Sequence, residues 1–352
     1  MPHEKDRITS LDRVRSSRSL GQRSGLIASR TVELARKVKG LQLADDLEVV
    51  FSDKRLEAAV RKELNRPDGL LTSGDLKALG GLGAVGKGIE NLSGLEHAVN
   101  LTRLDLSYNQ VSDITPLGSL TDLTWLDLRS NAISDISPLA SLAQLTRLDL
   151  WNNQISDITP ITSRIKLTKL DLGNNQIRNV TPLASLTRLK KLWLENNKVS
   201  DVTPLTSRTK LTKLDLENNQ IIDVSPLASL VKLRGLKLKG NQISYLGPLV
   251  SLTMLGNLEL GNNQISNISP LAALTKLFWL DLQDNMIVDI SPLASLTKLN
   301  GLYLQGNMIV DVKPLGSLTK LYELWLKANP LNQEAIDVCV PGLRARSVRV
   351  KS

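Results

Sequence analysis

Few residues in this chain could do covalent chemistry. It has two histidines, His3 and His97, and one cysteine, Cys339. No Cys/His cluster is spaced to hold zinc, no Ser-His-Asp set can assemble, and no Gly-rich phosphate loop is present. Cys339 sits in an apolar stretch and reads as a structural thiol, because a nucleophile needs a base nearby. A row of single aspartates, Asp105, Asp127, Asp149, Asp171 and Asp215, could bind calcium only weakly and reads as solvated. The sequence therefore implies no enzyme, no metal and no cofactor.

Recognition is the chemistry that remains. Trp and Tyr carry much of the energy at protein interfaces. The chain has eleven aromatic residues: five Trp, four Tyr and two Phe. Nine of them, Tyr108, Trp125, Trp151, Trp193, Phe278, Trp279, Tyr303, Tyr322 and Trp325, fall in five columns that make up 55 of the 352 positions. Two readings compete: aromatics favour strands and stack across neighbours without any ligand, or they form a binding face. The second is taken here, with Trp125, Trp151, Trp193, Phe278, Trp279, Tyr303, Tyr322 and Trp325 as candidate partner-binding residues. Phe278, Trp279, Tyr303, Tyr322 and Trp325 should form one contiguous surface with Asp281 and Glu323 at its margins. There the flanking charges give way to Gly235, Asn257 and Gly301.

The columns exist because the sequence repeats every 22 residues. Leu101 opens the first copy; Leu123, Leu145, Leu167, Leu189, Leu211, Leu233, Leu255, Leu277, Leu299 and Leu321 open the rest, without an insertion or deletion. Each copy approximates L-x-x-L-x-L-x-x-N-x-I-x-x-I-x-P-L-x-S-L. A fixed short period means a solenoid. No unit buries its aliphatic groups alone, but stacked units do, at roughly 1.5–3 kcal/mol per buried Leu or Ile. Alternation around the second and third Leu gives a short strand, and stacking gives a parallel sheet with strands about 4.8 Å apart. Pro, from Pro116 to Pro314, starts a 3₁₀-like return on the outer side. Eight residues after each opening Leu stands Asn: Asn109, Asn131, Asn153, Asn175, Asn197, Asn219, Asn241, Asn263, Asn285, Asn307 and Asn329. With donor and acceptor on one side chain, this column is expected to be a structural ladder.

The repeat phrase resembles the 22-residue leucine-rich repeats of bacterial internalins and of the leucine-rich regulatory subunit of type-1 protein phosphatase. The resemblance runs from Leu101 to Pro330. It implies an α/β solenoid, a leucine-rich-repeat horseshoe with a concave parallel sheet and convex 3₁₀ turns, that acts as a binding module. The sequence shows no apolar signal segment, no immunoglobulin-like domain after the repeats and no wall-sorting motif. The expected compartment is accordingly cytoplasmic, or the cell surface if the true start lies upstream.

Four segments are expected. Residues 1–48 form a basic, disordered tail dispensable for folding. Residues 49–100 hold a helical cap and a degenerate repeat, with Leu56, Ala59, Val60 and Leu64 on one helix face and Thr72 and Asp75 as a capping box. Residues 101–328 are the repeats, and residues 329–352 close the array with a short helix and a last strand. Arg164 and Arg208 replace the last Leu of their repeats and are expected to reach the surface, since an unpaired guanidinium in the core is costly.

The net charge of +9 is unevenly placed. Ten basic and four acidic residues give residues 1–44 a charge of +6, whereas 23 basic and 19 acidic residues leave residues 101–328 at +4. Arg103, Arg147, Lys169, Lys191 and Lys213 run beside the aspartate row, and the two rows are expected to neutralise each other on a solvated concave face. A phosphate chain would then meet an acid beside every base, so no nucleic acid is expected. Asp113, Asp135, Asp157, Asp201, Asp223, Asp289 and Asp311 on one flank, and Lys166, Arg188, Lys210, Lys232, Lys276, Lys298 and Lys320 on the other, would orient a charged partner. The expected protein is a monomer without a membrane span that binds another protein. The alternatives are an internalin-like surface adhesin, a regulatory subunit of a phosphatase or other enzyme, and a structural spacer.

Overall fold

A computed structural model of the chain describes residues 47–163 and 166–352. The expectations for residues 1–46 of the tail and for Arg164 fall outside the described residues; the last two tail residues are described and belong to the cap, with Glu48 bridged to Thr72 and the Leu47 carbonyl accepting from the Ser73 N–H. The opening Leu, the two strand leucines, the two following Ile/Val positions and the two leucines of the return all point inward and are buried in every regular copy described. Copy Leu145–Lys166 shows the pattern: Leu145, Leu148, Leu150, Ile155, Ile158 and Ile161 are in the core.

The inward leucine at the centre of each strand leaves its two neighbours facing out. Strands are therefore only three residues long. β1 (Gly81–Gly83) comes from the degenerate copy, followed by β2 (Arg103–Asp105), β3 (Trp125–Asp127), β4 (Arg147–Asp149), β5 (Lys169–Asp171), β6 (Lys191–Trp193), β7 (Lys213–Asp215), β8 (Gly235–Lys237), β9 (Asn257–Glu259), β10 (Trp279–Asp281), β11 (Gly301–Tyr303), β12 (Glu323–Trp325) and β13 (Arg349–Lys351). They form one parallel sheet in sequence order, in register, so that Leu148 faces Leu170 and Leu302 faces Leu324. Pro starts each outer 3₁₀ turn of the regular copies, as at Ser137–Ser141 and Ser291–Ser295.

Three polar columns tie one repeat to the next. The Asn197 amide donates to the carbonyls of Leu194 and Glu195 in its own repeat and of Leu172 in the one before, while its Oδ1 accepts from the Ile177 backbone N–H. Asn109 does the same for the degenerate copy, where Lys87 stands at the Asn position. Because each Asn reaches backwards, the first copy has no repeat to tie and can dispense with one. Ser hydroxyls on the outer turns, such as Ser141 to the Gly118 carbonyl, form a second column. Thr hydroxyls just before the strands form a third, as from Thr146 to the Thr124 carbonyl.

Both ends of the core are covered. Helix α1 (Lys54–Leu64) buries Leu56 and Val60, and its N-cap, Asp53, accepts from Arg55 and Glu90. α2 (Ser73–Lys77) begins with the Thr72–Asp75 capping box. Phe51 is buried in this cap. At the far end a π-turn, Ala335–Cys339, runs into α3 (Val340–Ala345), and β13 pairs with β12. Ala335, Val340, Leu343 and Val348 are buried there, whereas Ile336 and Val338 face solvent. Cys339 packs partly buried against the core.

Arg208 departs from expectation. It is buried, with 5% of its surface exposed. Its aliphatic stem takes the place of the missing Leu, as long basic side chains can. Its head is held by Ser207 Oγ at 2.8 Å and the Leu183 carbonyl at 3.5 Å. The 3₁₀ turn beside it shrinks to Thr203–Leu205, while its neighbours span five residues. Nε has no partner. Arg208→Leu should therefore stabilise the protein by about 1–3 kcal/mol, since the array supplies a Leu-shaped site and the charge is poorly paired. A lower denaturant midpoint would show instead that the guanidinium is a satisfied structural member.

Candidate protein-binding surface

The side chains flanking each inward Leu build the concave face. At its centre lies a column of carboxylates, and it is not the solvated, self-neutralising row expected. Asp127 is 0% exposed and Asp149 7%; Asp215 and Asp281 are buried as well. Their carboxylates turn down onto the chain two residues on, accepting from the backbone N–H groups of Arg129, Trp151, Glu217 and Gln283. The bases two residues earlier on the same strands do not reach them. Positions i and i+2 lie about 7 Å apart along a strand, and among the described residues Arg103, Arg147, Lys169, Lys191 and Lys213 have no carboxylate within ion-pair distance. The acids pair instead with bases from other columns. Arg129 bridges Asp127 and Asp149, and Lys237 lies 3.5 Å from Asp215 and 3.8 Å from Glu259.

Burial pushes the proton affinity of Asp149, Asp215, Glu195, Glu259 and Asp281 up. Asp171, desolvated and next to Asp149, is pushed up to about 7. An unfolded Asp releases its proton near pH 4. Between pH 4 and 7 the folded chain thus binds more protons than the unfolded one, and this group makes stability fall as pH rises. The thermal midpoint should be higher at pH 5 than at pH 8. Asp171→Asn, which keeps the acceptor for the Gly173 N–H, should raise stability at pH 8 by about 1–2 kcal/mol and flatten the dependence. A pH-independent midpoint would refute this.

The candidate aromatic residues separate into groups. Trp125 is clamped between the guanidinium groups of Arg103 and Arg147, 5.0 and 5.5 Å from the ring centre. Trp151 lies partly exposed on the strand-exit side. Trp193 stands apart on β6, beside a cavity. Trp279, Tyr303 and Trp325 form a continuous ridge across β10, β11 and β12, with ring centres 4.9 and 5.4 Å apart. Trp279 lies over Gly301, where an added Cβ would come within 2.6 Å of the indole. Glu323 sits within this ridge, not at its edge: it accepts from the Tyr303 hydroxyl at 2.9 Å and from Trp325 Nε1 at 3.0 Å. Burial and Glu323 push the Tyr303 phenol up to about 12. Asp281 is buried beside the ridge, not on an exposed margin. Phe278 and Tyr322, 52% and 51% exposed, lie outside the stack. Phe278 leans over Gly256, and Tyr322 carries the Arg349 guanidinium at 4.9 Å. Lys351 covers Trp325 at 3.8 Å.

The flank aspartates have a second task. Asp135, Asp157, Asp201, Asp223, Asp289 and Asp311 each accept from the backbone N–H two residues on and so start the 3₁₀ turn. Asn179 and Asn267 do the same without a charge. Two further surface features stand out in the folded chain. One is an open cavity centred on Gly235. The other is an exposed apolar patch, Met286, Val288, Met308 and Val310, on the strand-exit flank. Its signal was present: most other copies carry Gln and Ser at those positions.

An open parallel sheet, Pro-started outer turns and an asparagine column define a leucine-rich-repeat solenoid. The two-copy leucine-rich-repeat family model matches residues 121–163, 165–207 and 209–251, and a single-repeat model matches residues 97–114. Internalin InlF of Listeria monocytogenes is 32% identical, with 86% of this chain and 96% of that chain covered and a TM-score of 0.75. Internalin C2 of the same species is 34% identical, covering 68% of this chain and 98% of that chain, with a TM-score of 0.53. The leucine-rich-repeat ectodomain of the Arabidopsis thaliana receptor kinase GASSHO1/SCHENGEN3 is 25% identical, covering 68% of this chain and 34% of that chain, with a TM-score of 0.56. No curated protein sequence matches the chain. The chain belongs to the internalin family of leucine-rich-repeat proteins. Among the described residues, no helix is long and apolar enough to cross a membrane.

Proposed function

We propose that this chain is a non-enzymatic module that holds a protein partner on its concave face, centred on β10 to β12. The observation that carries the reading is the Trp279–Tyr303–Trp325 ridge, with Phe278 and Tyr322 exposed beside it. Such rings offer large contact area at low entropic cost. The plant ectodomain above was solved with Casparian Strip Integrity Factor 2 bound, which supports reading a surface of this class as a binding surface.

The chemistry of the face argues against an enzyme. The described histidine, His97, lies on an outer turn away from that face, with Glu96 3.9 Å away, and among the described residues no hydrogen bond joins its ring to a hydroxyl or thiol. The near balance of charge over residues 101–328, 23 basic against 19 acidic residues, argues against nucleic acid, since a phosphate backbone needs a strongly cationic footprint. Both ends of the repeat core are covered, which favours a monomer. With one cysteine in the chain, no disulfide within it sustains the fold, so the surface would work in either redox compartment, as an adhesin or as a regulator of an enzyme.

The test is affinity capture from lysate of the source cells or of their host. Wild type should retain a defined protein that the Trp279→Ala/Trp325→Ala double variant loses. Equal capture by both would place binding elsewhere.

A further inference from the structure

Two of the columns that face the concave side are interrupted side by side. The basic column ends at Lys213 and is followed by Gly235 and Asn257; in the column just before the strands, the long side chain of Arg234 is followed by Gly256. These gaps open a cavity of about 590 Å³ over β7, β8 and β9. That is within the size range of small-molecule sites and leaves room for the largest side chains. Trp193 stands at one end and Phe278 at the other, with Met254 between them at the strand-entry side.

The rim is cationic. Lys213, Arg234, Lys237 and Lys276 all line the cavity. Lys237 is occupied by Asp215 and Glu259. The Lys276 ammonium rests against the Met254 sulfur. Among the described residues, Lys213, Arg234 and Lys276 have no carboxylate within ion-pair distance. Three unneutralised cations thus surround a recess with aromatic ends and a glycine floor.

We infer that this cavity takes one bulky aromatic side chain of an acidic segment of the partner, whose carboxylates meet Lys213, Arg234 and Lys276. Charge complementarity at the rim selects an acidic peptide. The inference rests on the protein-binding reading above and adds the chemistry of the partner. It also extends the contact from the ridge onto β7 to β9 through Phe278, which borders both.

Gly235 supplies a clean probe. A Cβ there meets only Lys213 Cγ, at 3.9 Å, an ordinary contact. Gly235→Phe therefore places a ring in the middle of the cavity without disturbing the repeat, and its thermal midpoint should match wild type. A random peptide library displayed on phage is panned on wild type, on Gly235→Phe and on Trp279→Ala/Trp325→Ala. Wild type should enrich sequences with an aromatic residue among Asp and Glu. A synthetic peptide of the enriched sequence should bind Gly235→Phe and Arg234→Glu at least roughly tenfold more weakly, and added salt should weaken its binding to wild type. Enrichment of basic or non-aromatic sequences, unchanged binding to Gly235→Phe, or no enrichment at all would overturn the inference. Peptides that depend on Trp279 and Trp325 but not on Gly235 would remove the cavity while leaving the binding face in place.

Discussion

Asn197→Ala is expected to lower the stability of the array by about 3 kcal/mol, in line with leaving several buried backbone groups unpaired. The Asn197 side chain satisfies one N–H and three carbonyls at 2.9–3.2 Å, in two successive repeats. Alanine removes all four bonds and supplies no water in their place. Because a solenoid is stabilised by nearest-neighbour interfaces, the loss in mid-array weakens the junction between two halves. Asn329→Ala, at the partly exposed last rung, should cost less than half as much. Urea unfolding of the two variants checks both values. Equal and small effects would mean that the column is not what joins the repeats.

Trp279→Ala and Trp325→Ala are each expected to weaken partner binding about thirtyfold, or about 2 kcal/mol. Trp279 and Trp325 are the two ends of the ridge and flank Tyr303 on either side. Neither ring is in the leucine core. Stability should therefore change by less than about 1 kcal/mol, the scale of one aromatic pair. Trp325→Ala should show the larger change, because it also loses the Lys351 contact to the closing strand. Titration of the captured partner against each variant, alongside thermal melts, separates the two effects. Variants that melt early and bind normally would mean that the rings only stack on one another.

The repeat architecture was legible because periodicity encodes it directly. Leu148 and Leu150 had to be inward, Pro138 had to start a turn, and Val348 and Val350 marked a closing strand. What escaped depends on distances that types and spacing do not contain. Arg208 looked like a surface residue because a Leu slot cannot solvate a guanidinium; the carbonyl of Leu183, 25 residues earlier, could not be seen from the sequence. The aspartate row looked solvated because it runs beside a basic row. In the folded chain each carboxylate bends onto its own backbone and the basic row stays out of reach. Gly235 was visible only as thinning charge and Gly256 was not singled out at all, and the cavity they open needs three strands side by side to exist.

Photo-crosslinking decides whether the partner sits on the concave face. Benzoylphenylalanine replaces Phe278, which is exposed on the concave face, or Tyr245, which is 70% exposed beside an outer turn. Both substitutions exchange one aromatic residue for another. Irradiation with the captured partner should give an adduct from position 278 that excess wild type suppresses and the Trp279→Ala/Trp325→Ala variant does not, and none from position 245. An adduct from position 245 with none from position 278 would place the partner off the concave face.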